Sequence, residues 1–198
     1  MTPVDPDSNR RLVGRLRAGD LDAFDEVHQA FHGRLFGFLA RLARSRDVAE
    51  DLLEETWLRL VAHAKQLNPD TQLGPWLFTV ARNLHVSYRR SRMLELGHVD
   101  DLLGLWPAGS PAPSPFEATA ANETERRLES ALASLPATYR EVLLLVGVEG
   151  LLPIEAAAVC GISPESMRQR LHRARVLLSQ RMDRTSDVRL PAVNEVLP

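Results

Sequence analysis

The 198-residue chain lacks the features that define several common classes of protein. Cys160 is its only cysteine, which excludes an internal disulfide framework and a cysteine-rich zinc site; we expect a buried, inert thiol. No stretch approaches the roughly 18 apolar residues of a membrane-spanning helix, and the N-terminus has no apolar signal-peptide segment. We therefore expect a cytoplasmic protein with no membrane insertion.

The sequence patterns of catalysis and of metal binding are also missing. There is no glycine-rich phosphate loop, no serine–histidine–aspartate pattern and no pair of carboxylates in a plausible cleft. The sequence therefore predicts no enzymatic activity and no cofactor. His28 and His32 have the spacing of neighbours on one helix, but no third metal ligand accompanies them, so we expect packing or solvated roles and no metal site.

Positive charge is slightly outnumbered by negative charge overall but is concentrated in two places. The formal net charge is −2, and Lys65 is the only lysine beside 23 arginines. Residues 82–92 carry four arginines and no acid, and residues 166–184 carry six arginines against one aspartate. Because local fields rather than net charge steer a protein toward nucleic acid, these two clusters predict polyanion-binding surfaces.

Strand patterns are nearly absent, and apolar residues recur instead at helical spacing. The predicted fold class is all-α, with two small helical domains joined by a flexible linker. The domains are residues 1–92 and 123–184, separated by an acidic, proline-rich linker over 93–122 and followed by a tail over 185–198. The predicted helices cover residues 21–44, 48–66, 75–92, 123–134, 136–149, 153–160 and 164–182.

Two helices of the first domain have distinct faces. The helix over 48–66 is predicted to open with a capping box of Asp47 and Glu50, and its buried stripe comprises Val48, Leu52, Leu53, Trp57, Leu60, Val61 and Ala64. Outside that stripe, an acidic face is formed by Asp51, Glu54 and Glu55. The helix that opens at Pro75 is apolar on one side through Trp76, Leu77, Val80, Ala81 and Leu84, and cationic toward its end through Arg82, Arg89, Arg90 and Arg92.

Residues 155–173 of the second domain have the chemistry of a helix-turn-helix. Ala157 lets two helices approach closely, and Gly161 can adopt the positive φ that a tight corner needs. Ser163 caps the next helix, with Pro164 at its first position. That helix carries an apolar stripe of Met167, Leu171, Ala174 and Leu178, and outside it the residues predicted to face DNA are Ser163, Glu165, Ser166, Arg168, Gln169, Arg170 and Arg173. The alternative is a solvated basic helix that closes an ordinary bundle.

These motifs, in this order, resemble the bacterial sigma-70 family. Residues 51–60 and 76–83 resemble region 2 of that family, whereas residues 135–145, the helix-turn-helix and residues 170–175 resemble region 4. The length of the chain and the short linker resemble the extracytoplasmic function (ECF) group. The resemblance implies an alternative sigma factor that binds core RNA polymerase, directs it to −35 and −10 promoter elements and helps to melt the −10 element.

The resemblance also implies roles for individual residues. Core RNA polymerase would bind Asp51, Glu54 and Glu55, with Trp57 supporting the packing. The loop between Ala64 and Pro75 would meet the unpaired strand of the −10 element, whose DNA would contact Trp76, Arg82, Asn83, Arg89, Arg90 and Arg92. Residues 163–173 would read double-stranded −35 DNA in the major groove. An anti-sigma factor is a further implied partner, with residues 102–106 and the tail as candidate sites of control.

Two other functions stay open at this point. A LuxR-type output domain has a similar helix-turn-helix, but it leaves residues 48–92 unexplained. A protein-interaction adaptor would use the helical domain to sequester a partner without touching DNA. The arginine clusters at 82–92 and 168–184 argue against the adaptor.

Overall fold

The computed structural model describes residues 6–95, 116 and 122–187, and within these residues it contains helices and no strand. The all-α prediction is confirmed. The predicted segment 102–106 and almost all of the linker and tail lie outside the described residues. The helices are α1 (Pro6–Ala18), α2 (Leu21–Ala43), α3 (Arg46–His63) and α4 (Leu73–Glu95), which form an N-lobe, and α5 (Glu123–Ala133), α6 (Ala137–Leu143), α7 (Pro153–Cys160) and α8 (Pro164–Asp187), which form a C-lobe.

Short irregular turns extend two of these helices. A 3-10 turn over Ala64–Gln66 follows α3, and a π-helical turn over Leu144–Val148 follows α6. The predicted helix over 136–149 is therefore one continuous helix, whose second half has the wider π-helical geometry. α4 also continues to Glu95, beyond the predicted domain boundary at residue 92.

The predicted capping box at the start of α3 is wrong. Ser45 is the N-cap, and its hydroxyl oxygen accepts a hydrogen bond from the Val48 N–H at 3.4 Å. Because serine reaches the N3 amide from an extended backbone, the helix begins before Asp47, which lies in its first turn. Among the apolar residues predicted for the stripe of α3, Val61 is 60% exposed, since Leu60 occupies the core-facing position beside it.

The N-lobe core forms where α2 packs against α3 and α4. Leu35, Leu60 and Leu77 are fully buried there, and the rings of Phe38 and Phe78 meet edge to face with centroids 5.3 Å apart. The C-lobe core forms between α6, α7 and α8, and the predicted stripe of α8 is buried in it through Met167, Leu171 and Ala174. Among the described helices, none combines the length with the apolar composition that a membrane span needs.

The two lobes pack directly on each other, which the sequence did not predict. α4 contacts α7 and α2 contacts α6. In the described part of the chain, three ion pairs join the lobes, each between an arginine of the N-lobe and a glutamate of the C-lobe. They are Arg34–Glu149 at 3.0 Å, Arg41–Glu129 at 2.7 Å and Arg82–Glu141 at 2.9 Å.

Arg140 of α6 lies at the centre of this contact and is 4% exposed. Its guanidinium donates to carbonyls at the end of α5, those of Leu132, Ala133 and Leu135, and to the carbonyls of Arg41 and Leu42 at the end of α2. Carbonyls at a helix C-terminus lack intrahelical partners and carry partial negative charge, so one cation satisfies two helix ends. Burial lowers the pKa of Arg140 to about 10, and the group stays charged at neutral pH.

Candidate nucleic-acid and polymerase interfaces

The acidic residues of α3 lie on one surface of the N-lobe. Asp51 and Glu54 are exposed, and the half-buried Glu55 pairs with Arg59 one turn later at 2.7 Å. Trp57 lies beneath them at 8% exposure, with its ring 4.8 Å from that of His28. The structure therefore brings these acids to one helix face, where i, i+3 and i+4 positions are neighbours.

An apolar cleft of about 600 Å³ lies beside this acidic face and was not predicted. Phe24 and Phe36 of α2 line it together with Leu58 and Val61 of α3, and Glu54 of the acidic face lines it too. Leu58 and Val61 are 55% and 60% exposed. Such large apolar side chains on the outside of a helix are the pattern that could have revealed the cleft.

His28 and His32 contact each other next to this cleft. Their ring nitrogens are 3.0 Å apart, and both rings pack near Trp57. Among the described residues, no group of three histidine, cysteine or acidic side chains is arranged to hold a metal ion. Cys160 is 4% exposed, and burial raises the pKa of its thiol to about 12, in line with the inert thiol that we expected.

The six residues predicted to contact −10 DNA divide into two groups on α4. Asn83, Arg90 and Arg92 are exposed, and Trp76 is half-buried. By contrast, Arg82 already contacts a carboxylate of the C-lobe, and Arg89 is half-buried, with its pKa lowered by desolvation. In this packed arrangement, only part of the predicted cationic surface is open to solvent.

Trp76 and Asn83 line a second cleft, of about 280 Å³, between α3 and α4. Arg59 and His63 of α3 line the same cleft, together with Ser87 of α4. The cleft thus combines an aromatic face, an amide and a cation. Sequence analysis missed Arg59 and His63, although their four-residue spacing places them on one helix face with Glu55.

Residues 67–72 connect the 3-10 turn after α3 to the start of α4. Leu67 is buried, whereas Asn68, Pro69 and Asp70 are exposed. The side-chain oxygen of Asn68 accepts a hydrogen bond from the Asp70 N–H at 2.9 Å. The backbone carbonyl of Asn68 accepts a second one from the Thr71 N–H at 2.9 Å. The exposed part of the loop is therefore a hydrogen-bonded turn.

The C-lobe contains the predicted helix-turn-helix geometry in α7 and α8. Gly161 has φ +65°, the left-handed conformation that favours glycine. The Ile162 N–H donates to the Ala157 carbonyl at 3.1 Å, and the Ser163 hydroxyl oxygen accepts from the Ser166 N–H at 3.1 Å. The corner and the start of α8 are thus fixed by the turn chemistry that the sequence predicted.

The residues predicted to read −35 DNA lie along one open side of α8. Ser163, Ser166, Arg173 and the pair Arg168–Glu165 are exposed, and Arg170 is half-buried. Gln169 is exposed and donates to the Glu165 carboxylate at 3.3 Å. These contacts hold the pKa of Glu165 below its usual value, and the hydrogen bond from Arg168 contributes most. The start of α8 therefore presents donors, acceptors and cations away from the core, as a helix in a major groove requires.

One titratable group is buried behind the cationic side of α4. His85 is 4% exposed, and burial lowers its pKa to about 3, with additional repulsion from Arg89, Arg140 and Arg82. The imidazole is therefore neutral at physiological pH. This histidine adds no positive charge to the surface that its neighbours form.

Comparisons with known proteins identify counterparts of both lobes. A family model described as Sigma-70 region 2 matches residues 27–94, and one described as Sigma-70, region 4 matches residues 125–178. The chain is 35% identical over 159 residues to RNA polymerase sigma factor CarQ of Myxococcus xanthus, covering 80% of this chain and 88% of that protein. It is 32% identical over 151 residues to ECF RNA polymerase sigma factor SigM of Bacillus subtilis (strain 168), covering 76% of this chain and 90% of that protein. Among solved structures, it resembles the sigma factor RpoE in complex with the anti-sigma factor NepR from Bartonella quintana, with a TM-score of 0.66, 28% identity, and coverage of 81% of this chain and 96% of that one.

Proposed function

The chain belongs to the extracytoplasmic function group of the sigma-70 family, and we propose that three of its surfaces each bind a different component of the transcription initiation complex. The acidic face of α3 binds core RNA polymerase, the α3–α4 cleft binds the melted −10 element, and α8 reads the −35 element. The observation that carries this proposal is the exposed start of α8, which follows a tight helix-turn-helix corner and presents polar and cationic side chains to solvent.

The core-binding surface combines two kinds of contact. Asp51, Glu54 and Glu55 supply negative charge that complements a basic partner and steers its approach. The adjacent cleft, with Leu58 and Val61 exposed, supplies apolar area that an amphipathic helix of the partner covers. Trp57 supports this surface from below.

The α3–α4 cleft can accommodate a DNA base that has flipped out of the base stack. Trp76 offers a ring face for stacking, and the Asn83 amide offers a donor and an acceptor for a base edge. Arg59 adds a cation for the backbone. The exposed Arg90 and Arg92 continue the positive surface along α4, where they contact neighbouring phosphates.

Binding to both elements requires the lobes to separate. The −35 and −10 elements lie about 25 base pairs apart, or ~85 Å of B-form DNA at about 3.4 Å per step. In the packed form, Arg82 and Glu141 are 2.9 Å apart. The C-lobe therefore leaves the N-lobe on promoter binding, and a DNA phosphate replaces the Glu141 carboxylate on Arg82.

The proposed partners are core RNA polymerase, promoter DNA and an anti-sigma factor. The anti-sigma partner is proposed because the similar factor from Bartonella quintana was solved in complex with one. The protein acts in the cytoplasm, as a binding factor without an enzymatic reaction. A LuxR-type regulator is the weaker candidate, since residues 27–94 match a sigma region that such a regulator does not require.

Run-off transcription with purified core polymerase and genomic promoter fragments tests the proposal. We expect specific initiation by the wild-type chain, and loss of core binding when Glu54 and Glu55 are both changed to Lys. The matched control reverses two exposed acids of α2, Asp22→Lys and Asp25→Lys, which do not line the cleft. Equal loss in both double variants would place the core contact elsewhere, and no specific initiation by the wild type would refute the function.

A further inference from the structure

α1 lies outside the two matched sigma regions, yet one of its side chains hydrogen-bonds the loop before α4. Asn9 is 5% exposed and uses both ends of its amide. Its nitrogen donates to the Thr71 carbonyl at 2.8 Å, and its oxygen accepts from the Leu73 N–H at 3.1 Å. Asn9 therefore holds the last part of the loop and the first residue of α4 together.

These two bonds are specific to an amide. The Leu73 N–H is one of the helix-starting donors that has no partner within its own helix, and here a residue 64 positions away supplies the acceptor. The same side chain must also donate to Thr71, which a carboxylate cannot do when ionised. Because the group is buried, replacing it with an apolar residue leaves the Leu73 amide unsatisfied.

Arg10, the next residue of α1, contacts the exposed part of the same loop. Its Nε and Nη2 atoms donate to one oxygen of Asp70 at 3.0 and 2.8 Å. Both side chains of this pair are largely exposed, so the pair is a weaker tie than the buried amide. Two consecutive residues of α1 thus contact residues 67–72 at two points.

We propose that Asn9 is a positioning residue for −10 recognition, holding residues 67–72 in the conformation in which the loop and the Trp76–Asn83 cleft together bind the unpaired −10 strand. This inference rests on the proposed function. A loop that is already ordered loses little conformational entropy on binding, whereas a released loop loses that entropy when the DNA arrives.

The test measures the affinity of holoenzyme for a fork-junction DNA with an unpaired −10 non-template strand, taken from a promoter identified by run-off transcription. Asn9→Ala should weaken this binding by about 10- to 100-fold, the scale expected when a recognition element loses its preorganisation. Core affinity and binding to the −35 duplex should stay at the wild-type level.

Val13→Ala is the matched control, because Val13 lies one turn further along α1, is fully buried and has no bond to the loop. It lowers the stability of the N-lobe by creating a cavity, and it should leave fork-junction affinity within about twofold. Hydrogen exchange gives a second readout. Exchange at Leu73 and in residues 67–72 should accelerate in Asn9→Ala more than in Val13→Ala.

Asn9→Asp serves if the alanine variant does not fold, since it keeps the acceptor for Leu73 and loses the donor to Thr71. It too should weaken fork-junction binding and accelerate exchange in the loop. Wild-type affinity in the folded Asn9 variants would overturn the inference, and so would losses that merely follow the drop in melting temperature shared with Val13→Ala. Failure of the wild-type chain to initiate would instead refute the proposed function, and the inference with it.

Discussion

Glu141→Gln removes the charge from one end of the Arg82–Glu141 pair and is predicted to favour separation of the lobes. Glu141 is 6% exposed, and the Arg82 side chain is 22% exposed. Loss of one partner of a fully buried pair destabilises by about 3–5 kcal/mol. Because Arg82 can turn toward water and glutamine keeps an acceptor oxygen, we expect a smaller loss of lobe packing, of about 1–2 kcal/mol.

This loss has a measurable consequence for complex formation. The apparent affinity of a protein is its intrinsic affinity multiplied by the fraction in the competent form. A change of about 1–2 kcal/mol is a factor of roughly 5–30 in that fraction. The concentration of the Glu141→Gln variant that half-saturates a mixture of core polymerase and fork-junction DNA should therefore fall by the same factor.

Energy transfer between the lobes reports the opening directly. Dyes on Asp25→Cys of α2 and His172→Cys of α8 can be attached selectively, because Cys160 is buried and its thiol pKa is raised to about 12. Transfer should be lost at a lower concentration of core polymerase and DNA in Glu141→Gln than in the wild type.

Two further variants make this prediction refutable. Glu26→Gln removes a charge from an exposed pair with Arg15, and Glu26 lines neither cleft, so this variant should change complex formation by less than twofold. Arg82→Gln opens the same contact as Glu141→Gln but also removes the cation proposed for the −10 phosphate, so it should not tighten the complex. If Glu141→Gln behaves like Glu26→Gln, the packed lobes do not compete with promoter binding, and the reasoning is wrong.

Three other predictions follow from single side chains. Burial lowers the pKa of His85 from about 6.5 to about 3 in the folded state, so only the unfolded chain gains this proton as the pH falls. The free energy of unfolding should therefore decrease by about 2 kcal/mol when the pH is lowered from 7.5 to 5. Urea unfolding should show a weaker dependence of stability on pH in His85→Leu than in the wild type. Arg140→Leu removes five hydrogen bonds to backbone carbonyls, four of them buried, and should lower the free energy of unfolding by about 3–5 kcal/mol, measured the same way. Arg168→Ala should weaken binding of holoenzyme to the −35 duplex by about 1–3 kcal/mol and relax sequence preference at one position. Arg175 is also exposed on α8 but lies beyond the residues predicted to read bases, so Arg175→Ala should weaken binding to all sequences equally.

Local features of the fold were predictable from the sequence because they depend on nearby residues. The apolar stripe of α8 follows from helical periodicity, and the corner at Gly161 follows from the conformational freedom of glycine. The start of α3 was predicted two residues late, because two residues only two positions apart, Ser45 and Asp47, can both cap a helix. Only the backbone geometry decides between them.

The contacts between distant parts of the chain were not predictable in this way. Arg34 and Glu149 are 115 positions apart, and no local pattern marks either as a partner of the other. Arg59 and His63 were missed because their role depends on how α3 packs against α4. The buried Asn9 was missed for the same reason, since its partners are backbone atoms of a loop far along the chain.

The polarity of the lobe contact is compatible with the proposed second state, in which the same surface of the N-lobe binds DNA. All three inter-lobe pairs put the arginine on the N-lobe and the glutamate on the C-lobe. In the proposed opening, the glutamates would become solvated by water, and a phosphate would take the place of Glu141 on Arg82. That cation would then keep an anionic partner in both states, which would avoid the cost of a desolvated, unpaired charge. The reverse polarity would leave carboxylates on the N-lobe facing DNA, and opening would then repel the promoter instead of binding it.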